Sequence, residues 1–351
     1  MIVASCNTTA KESPILHPLA PPRLARYTRC MDIAAHTARN IHEATNFETL
    51  ALALKITDAS VEPIFERIGE EISLADPLTL HPNTYASFSG LDVTELLEIH
   101  SFVKARFLRL EFTDVVLRRG DGMYPAHVAT TPDSPRFLYL RGDAGLLSRK
   151  CVSVIGTRTP SDEGRRYAKE TVQALARHDV AILSGLSMGI EGMAHITALA
   201  SGTPTIAAIG TSLIEAYPVE HRKLQQAIAE HGLLVSRFSP ARQTEKWHFL
   251  LRNQLMGALS SGTVIIEDRD GGSAVKQASY ALEQKRKVML FQHVLDNRSL
   301  LWPRRLSLKN GVLVVKQPDH IHARLFPTGK REEPKDGNEM RQGQLSLFDL
   351  S

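Results

Sequence analysis

Cysteine is scarce and scattered, with three residues (Cys6, Cys30 and Cys151) in a chain of 351. An odd number at such spacing builds neither a disulfide framework nor a CxxC ligand pair, and it suits the reducing cytoplasm, where the chain is expected to reside. No apolar run approaches the ~20 residues that a membrane-spanning helix needs, so no membrane partner is expected. An excess of one charge is also lacking. Lys and Arg number 42 against 38 Asp and Glu, a net +4, so a nucleic-acid site has to be a local patch rather than a property of the whole surface. Residues 1–30 have no basic region followed by an apolar one and are not expected to act as a secretory signal. Their prolines and scattered polar residues read as a disordered arm, with Met31 as an alternative initiator. No clustered Cys/His/carboxylate set, carboxylate dyad or nucleophile–base arrangement is legible, so a binding protein without metal or cofactor is expected rather than an enzyme.

A hydrophobic share of 43% over this length gives room for two folded units. From residue 31 to 107 the spacing of apolar residues is helical, in NFETLALALKI, SVEPIFERIGEEI and DVTELLEIHSFVKARF, which predicts a small helical domain. NTYASFSG (83–90) reads as a connector. Near Leu110 the character changes: LEFTDVVLRRGDGMYP and RFLYLRGDAGLL read as short strands and turns. From Cys151 the apolar runs CVSVIG, VAILSG, TPTIAAIG, GLLVSRF, GTVIIED, KVMLFQ and GVLVV alternate with amphipathic stretches such as SDEGRRYAKETVQALARH and GGSAVKQASYALEQK. This predicts an α/β fold over 108–326, doubly wound around a mainly parallel sheet. A polar tail, 327–351, follows and is expected to be disordered up to its last residues.

In such a sheet, ligands bind beyond the carboxyl ends of the strands. Gly156-Thr157-Arg158, with Ser161 placed to cap the next helix, reads as a phosphate-sized anion site or as a plain turn with a solvated arginine. Ser184-Gly185 ends the second run, and Glu191 and His195 follow four residues apart. They share one helical face, either beside a ligand or as a structural contact. Trp247 to Gln254 places Arg252 and Asn253 next to aromatic rings. That suits phosphate contact plus base stacking on a single strand, or a helix start whose rings belong to the core.

Together these stretches resemble the DprA/Smf family of DNA-processing proteins. Tyr124-Pro125 and LYLRGD (138–143) look like the family's lead-in. VIGTR (154–158), SGLSMGIEGMAH (184–195), Tyr217-Pro218, Arg252-Asn253 and NGVLVVKQPDHI (310–321) follow in the family's order and spacing. The helical segment before them resembles the family's N-terminal SAM/HhH-like domain in position and type. The resemblance implies a Rossmann-like domain that binds single-stranded DNA in a pocket lined by Arg158, Ser184, Gly185, Arg222, Lys223, Arg252 and Asn253. It also implies a homodimer that protects incoming strands and hands them to a RecA-type recombinase in DNA uptake, recombination or repair.

The chain departs from the family pattern at Met188, where a cation is common, at Glu191, at Leu250-Leu251 and over GGSAVKQA (271–278). These departures motivate a second reading, a nucleotide- or DNA-sensing regulator such as the antitoxin of a phage-defence or toxin–antitoxin pair. Related phosphoribohydrolases carry a Pro-Gly-Gly turn that is missing from EDRDGGS (267–273), which argues against N-glycosidic hydrolysis.

The last residues raise a question of their own. QLSLF (344–348) ends a tail that is otherwise nearly devoid of large apolar side chains. It resembles the pentapeptide by which bacterial polymerases and repair proteins dock onto the DNA polymerase sliding clamp. The resemblance implies rim contacts from Gln344 and apolar burial of Leu345, Leu347 and Phe348, on a 15-residue leader whose typical reach is about 20 Å.

Overall fold

The structure, a computed structural model, describes residues 23–327 and the side chains of 37–327. Four helices come first: α1 (Arg23–Leu54), α2 (Asp58–Gly69), α3 (Pro82–Ser89) and α4 (Val93–Phe107). Helix α1 begins at Arg23, inside the stretch expected as an arm. The expected connector 83–90 is helical instead. Pro82 is pre-set for the first turn, Gly90 ends the helix in the left-handed region (φ 70°), and Tyr85 and Ala86 are buried. Burial of the Tyr85 ring outweighs the turn-forming bias of the surrounding Ser, Asn and Thr, which is why local chemistry pointed to a loop.

The remainder runs β1 (Val115–Arg118), α5 (Ala126–Ala129), β2 (Phe137–Gly142), β3 (Cys151–Ile155), α6 (Asp162–Ala176), β4 (Ala181–Ser184), α7 (Ile190–Ala200), β5 (Thr205–Ile209), α8 (Arg222–His231), β6 (Leu233–Ser236) and α9 (His248–Leu259). It continues with β7 (Gly262–Ile265), α10 (Ser273–Glu283), β8 (Lys287–Phe291), α11 (Gln292–Asp296), α12 (Trp302–Ser307), β9 (Val312–Val315) and α13 (His320–Leu325). The strands form one sheet in the order β1-β2-β6-β5-β4-β3-β7-β8-β9. The seven from β6 to β9 are parallel, while β2 pairs antiparallel with β6 and β1 with β2. The chain therefore winds outward from β3 through β4, β5 and β6, crosses back, and winds the other way through β7, β8 and β9. That is the expected doubly wound Rossmann-like sheet. All five residues of β3 are buried, as a strand covered on both faces requires.

Residues alternate between the two faces with period two. Leu138, Leu140, Ile206, Ala208, Leu233 and Val235 belong to one apolar cluster, built with the helices of the β3–β9 half. Phe137, Tyr139, Ala207, Ile209 and Leu234 belong to the other, which continues into Phe47, Leu50, Phe65, Tyr85 and Leu96 of the leading helices. The helical segment therefore packs directly on one face of the sheet. Partly buried ion pairs, anchored on the buried Glu43 and Glu48, fasten it: Arg136 donates to Glu43 (2.9 Å) and Glu62 (2.6 Å), and Arg242 to Glu48 (2.8 and 2.7 Å) and Asp58 (2.9 Å). Breaking one partner of such a pair leaves an uncompensated buried charge, so these contacts specify the docking more than they add to stability. Among the described residues, no helix is long and apolar enough to cross a membrane.

Candidate nucleic-acid interface

Beyond the carboxyl ends of β3, β4 and β5 lies a cleft of about 540 Å³. The β3–α6 loop supplies Arg158, the β4–α7 loop Gly185, Ser187 and Met188, the β5–α8 loop Tyr217 to Glu220, and the first turns of α9 Phe249 and Arg252. Arg158, Met188 and Tyr217 are exposed, and Phe249 is half-buried. The Tyr217 and Phe249 rings stand 5.1 Å apart at 48°, with the Arg252 guanidinium 6.0 Å from the centre of Phe249. With the exposed Arg158 lining the same cleft, the two rings and this cation offer a platform for a base and a phosphate contact.

Arg252 is the cleft's rear wall rather than a free arm. It is 5% exposed and donates from Nη1 to the carbonyls of Gly185 and Ala208, the latter at 3.2 Å, and from Nε to Asn253 Oδ1 at 2.9 Å. Burial lowers its pKa, the Glu191 carboxylate 3.9 Å away works to raise it, and the Arg158 charge lowers it further. Gly185 makes this seat possible. A Cβ there would overlap the guanidinium and come within 2.8 Å of Glu191 Oε2.

Of the seven residues expected in one pocket, the structure brings Arg158, Gly185 and Arg252 together. Asn253 is buried behind Arg252 as its acceptor. Ser184 does not line the cleft: it is fully buried, and its hydroxyl donates to Val154 O at 2.7 Å. Arg222 lines a different, polar cleft of about 870 Å³ with Arg109, Arg141 and Gln225, touching the first at Ala216. Lys223 is exposed on α8 and lines neither.

At two further places, where the sequence left two readings open, the structure has the structural one. Glu191 and His195 do not orient each other. Glu191 accepts from Ser187 N at 3.0 Å, whereas His195, fully buried, pairs through Nδ1 with Thr205 Oγ1 at 2.8 Å, and desolvation pushes its pKa down to about 3. The turn at 156–158 is no open anion site either. Thr157 N donates to Glu267 O at 2.7 Å, and the Glu267 carboxylate accepts from Ser161 N. Gly156 serves packing, since a Cβ would meet Ile190 Cγ1 at 2.6 Å. Ser161 does cap α6, accepting from Gly164 N at 3.0 Å. Trp247 is exposed, donates to Glu245 Oε2 at 2.6 Å and lies outside the cleft. Sequence reasoning did not foresee the pairing of Tyr217 with Phe249. Both lie in stretches that drew attention, but 32 residues of chain separate them and no periodicity links them. Among the described residues no group of His, Cys and carboxylates is placed to hold a metal. Gln344, Leu345, Leu347 and Phe348 lie outside the described residues.

A doubly wound, mainly parallel sheet with a cleft at the carboxyl ends of its strands defines a Rossmann-like α/β protein. Residues 115–325 match the family described as DNA recombination-mediator protein A. The chain belongs to this family, DprA/Smf. It is 32% identical over 166 residues to the DNA processing protein DprA of Bacillus subtilis (47% of this chain, 56% of that one). With the DprA of Streptococcus pneumoniae it shares 33% over 180 residues (51% and 64%). It thus spans less than two thirds of these relatives. Among solved structures, it is similar to the S. pneumoniae DprA, with TM-score 0.62, 25% identity and coverage of 79% of this chain and 97% of that chain. It is also similar to a Helicobacter pylori DNA processing protein A whose single-stranded DNA binding mode was described, with TM-score 0.54, 25% identity and coverage of 60% and 95%.

Proposed function

We propose that this chain is a single-stranded DNA-binding protein, not an enzyme, and that the strand lies in the cleft of Arg158, Met188, Tyr217, Phe249 and Arg252. The observation that carries the reading is that the exposed Arg158 lines one cleft with the Tyr217–Phe249 pair, in a member of this family. One free cation gives a phosphate contact without sequence preference, and unstacked bases find ring faces that a duplex cannot reach. The H. pylori relative's binding of single strands supports the same assignment. Arg222 and Lys223, on the neighbouring helix, then serve as flanking contacts for a longer strand. The unit comprises a helical segment (31–107), the Rossmann-like domain (108–326) and a tail. It acts as a cytoplasmic homodimer that delivers the strand to a RecA-type recombinase, and QLSLF tethers it to the sliding clamp. Family membership supports the first of these partners and the pentapeptide the second.

Fluorescence anisotropy with a labelled dT oligomer, the matching duplex and free mononucleotides tests the central claim. Tighter binding of the single strand, weakened by Arg158→Ala, is the expected result. Preference for duplex, or unchanged affinity in the variant, overturns it.

A further inference from the structure

We propose that Glu267 and Asp268 occupy, in place of ligand phosphates, the helix N-termini at the switch point of the sheet, closing that crevice to nucleotides and leaving the Arg158–Arg252 cleft as the anion's entry. In an open α/β sheet the usual phosphate seat lies where the winding reverses, here between β3 and its neighbour β7, with the amino ends of α6 and α10 turned toward it. Both seats hold protein carboxylates. Glu267 accepts from Ser161 N at 3.3 and 3.1 Å and from the Ser161 hydroxyl at 2.8 Å, at the start of α6. Asp268, buried, accepts from Ala274 N at 2.9 Å and Val275 N at 3.1 Å at the start of α10, and from Arg269 N at 2.9 Å.

The fit is built on both sides. A Cβ on Gly164 would overlap the Glu267 carboxylate, and one on Gly272 would overlap that of Asp268. Each acid therefore has a glycine opposite it that admits it. The loop is also held in place. Asp270 accepts from Leu301 N (3.1 Å) and Trp302 N (2.8 Å), and the Trp302 indole N–H donates to Asp268 O at 2.9 Å. The EDRDGGS stretch, which fits no hydrolase turn, thus spends its three acids on the starts of α6, α10 and α12. An entering phosphate would find the amides of Ser161, Ala274 and Val275 already taken by side-chain acceptors, and that occupancy excludes it. Exclusion of nucleotides stands by itself, whereas the entry route rests on the single-strand reading above.

Calorimetric titration of the full chain with pyrophosphate and with ADP, beside a dT oligomer, tests this. Beyond any binding that Arg158→Ala abolishes, and so belongs to the open cleft, the wild type is expected to show no saturable pyrophosphate or ADP binding at millimolar concentrations. Glu267→Gln and Asp268→Asn, which keep an acceptor on the same amides, should behave alike. Glu267→Ala and Asp268→Ala, which uncover them, should gain at least a tenfold increase in pyrophosphate affinity. Saturable binding that persists in Arg158→Ala, or no gain in folded alanine variants, overturns the closure. Should the alanine variants fail to fold, the wild-type titration decides alone. A wild type that binds neither oligomer nor pyrophosphate sinks the single-strand reading but not the closure.

Discussion

Arg158→Ala and Arg252→Ala remove one guanidinium each from the same cleft, yet the structure predicts losses of different kinds. Arg158 is exposed, and among the described residues no hydrogen bond or ion pair holds it as those of Arg252 do. Its removal should leave the melting temperature unchanged and cost one phosphate contact. For a single strand that flattens the slope of log K against log salt by about 0.7. Arg252 is buried, with donors committed to Gly185 O, Ala208 O and Asn253 Oδ1, and its charge stands 3.9 Å from the buried Glu191 carboxylate. Its removal strands those acceptors and that carboxylate, a loss of about 3–5 kcal/mol. At roughly 2 °C per kcal/mol for a chain of this size, the melting temperature should fall by about 6 °C or more. Differential scanning calorimetry and anisotropy titrations at several salt concentrations read the two effects separately. An Arg252→Ala protein that melts like the wild type while losing affinity would refute the reasoning, because Arg252 would then be a free DNA contact and not the wall of the cleft.

Gly185→Ala should act through Arg252, displacing the guanidinium at an overpacking cost of about 1–3 kcal/mol and weakening oligomer binding; unchanged melting and affinity would show that the seat adapts. Acid should destabilise the fold through its buried histidines. Desolvation first of all holds His195 at about 3, His100 at about 4 and His248 at about 4. Below about pH 6.5 the unfolded chain takes up protons that the folded one refuses, so stability is full above that pH and falls toward pH 4 by up to about 1.4 kcal/mol per unit for each group. Urea melts of His195→Gln between pH 6.5 and 4.5 should show a slope shallower by one such contribution, and an identical slope would refute the assignment. Replacing Leu347 and Phe348 with alanine should abolish micromolar binding to the sliding clamp, on the order of −8 kcal/mol, with DNA affinity and melting unchanged; a lower melting temperature would place the plug in the protein's own core.

Local chemistry determined a great deal here. Short apolar runs alternating with amphipathic stretches indicate parallel strands, and the seven runs from Cys151 to Val315 became β3 to β9, with β9 at the sheet edge. Ser161 announced the cap of α6, and Arg158, Gly185 and Arg252 were legible because each follows a strand end or opens a helix. Several features came from folding alone. Whether a cation is free or spent depends on what the chain brings to it from afar: Arg252 meets carbonyls 67 and 44 residues away, while Arg222 and Lys223 point from a helix face that no spacing near them specifies. The turn at Gly156 could be read as an anion seat or as a plain turn, because its neighbourhood is glycine, hydroxyl and arginine. It became a closed one because the crossover to β7 brings a carboxylate from 106 residues along the chain. Pattern along a chain reports which surfaces want burial, and it says little about which buried charge will find which partner, since that is settled by a three-dimensional accounting of donors and acceptors.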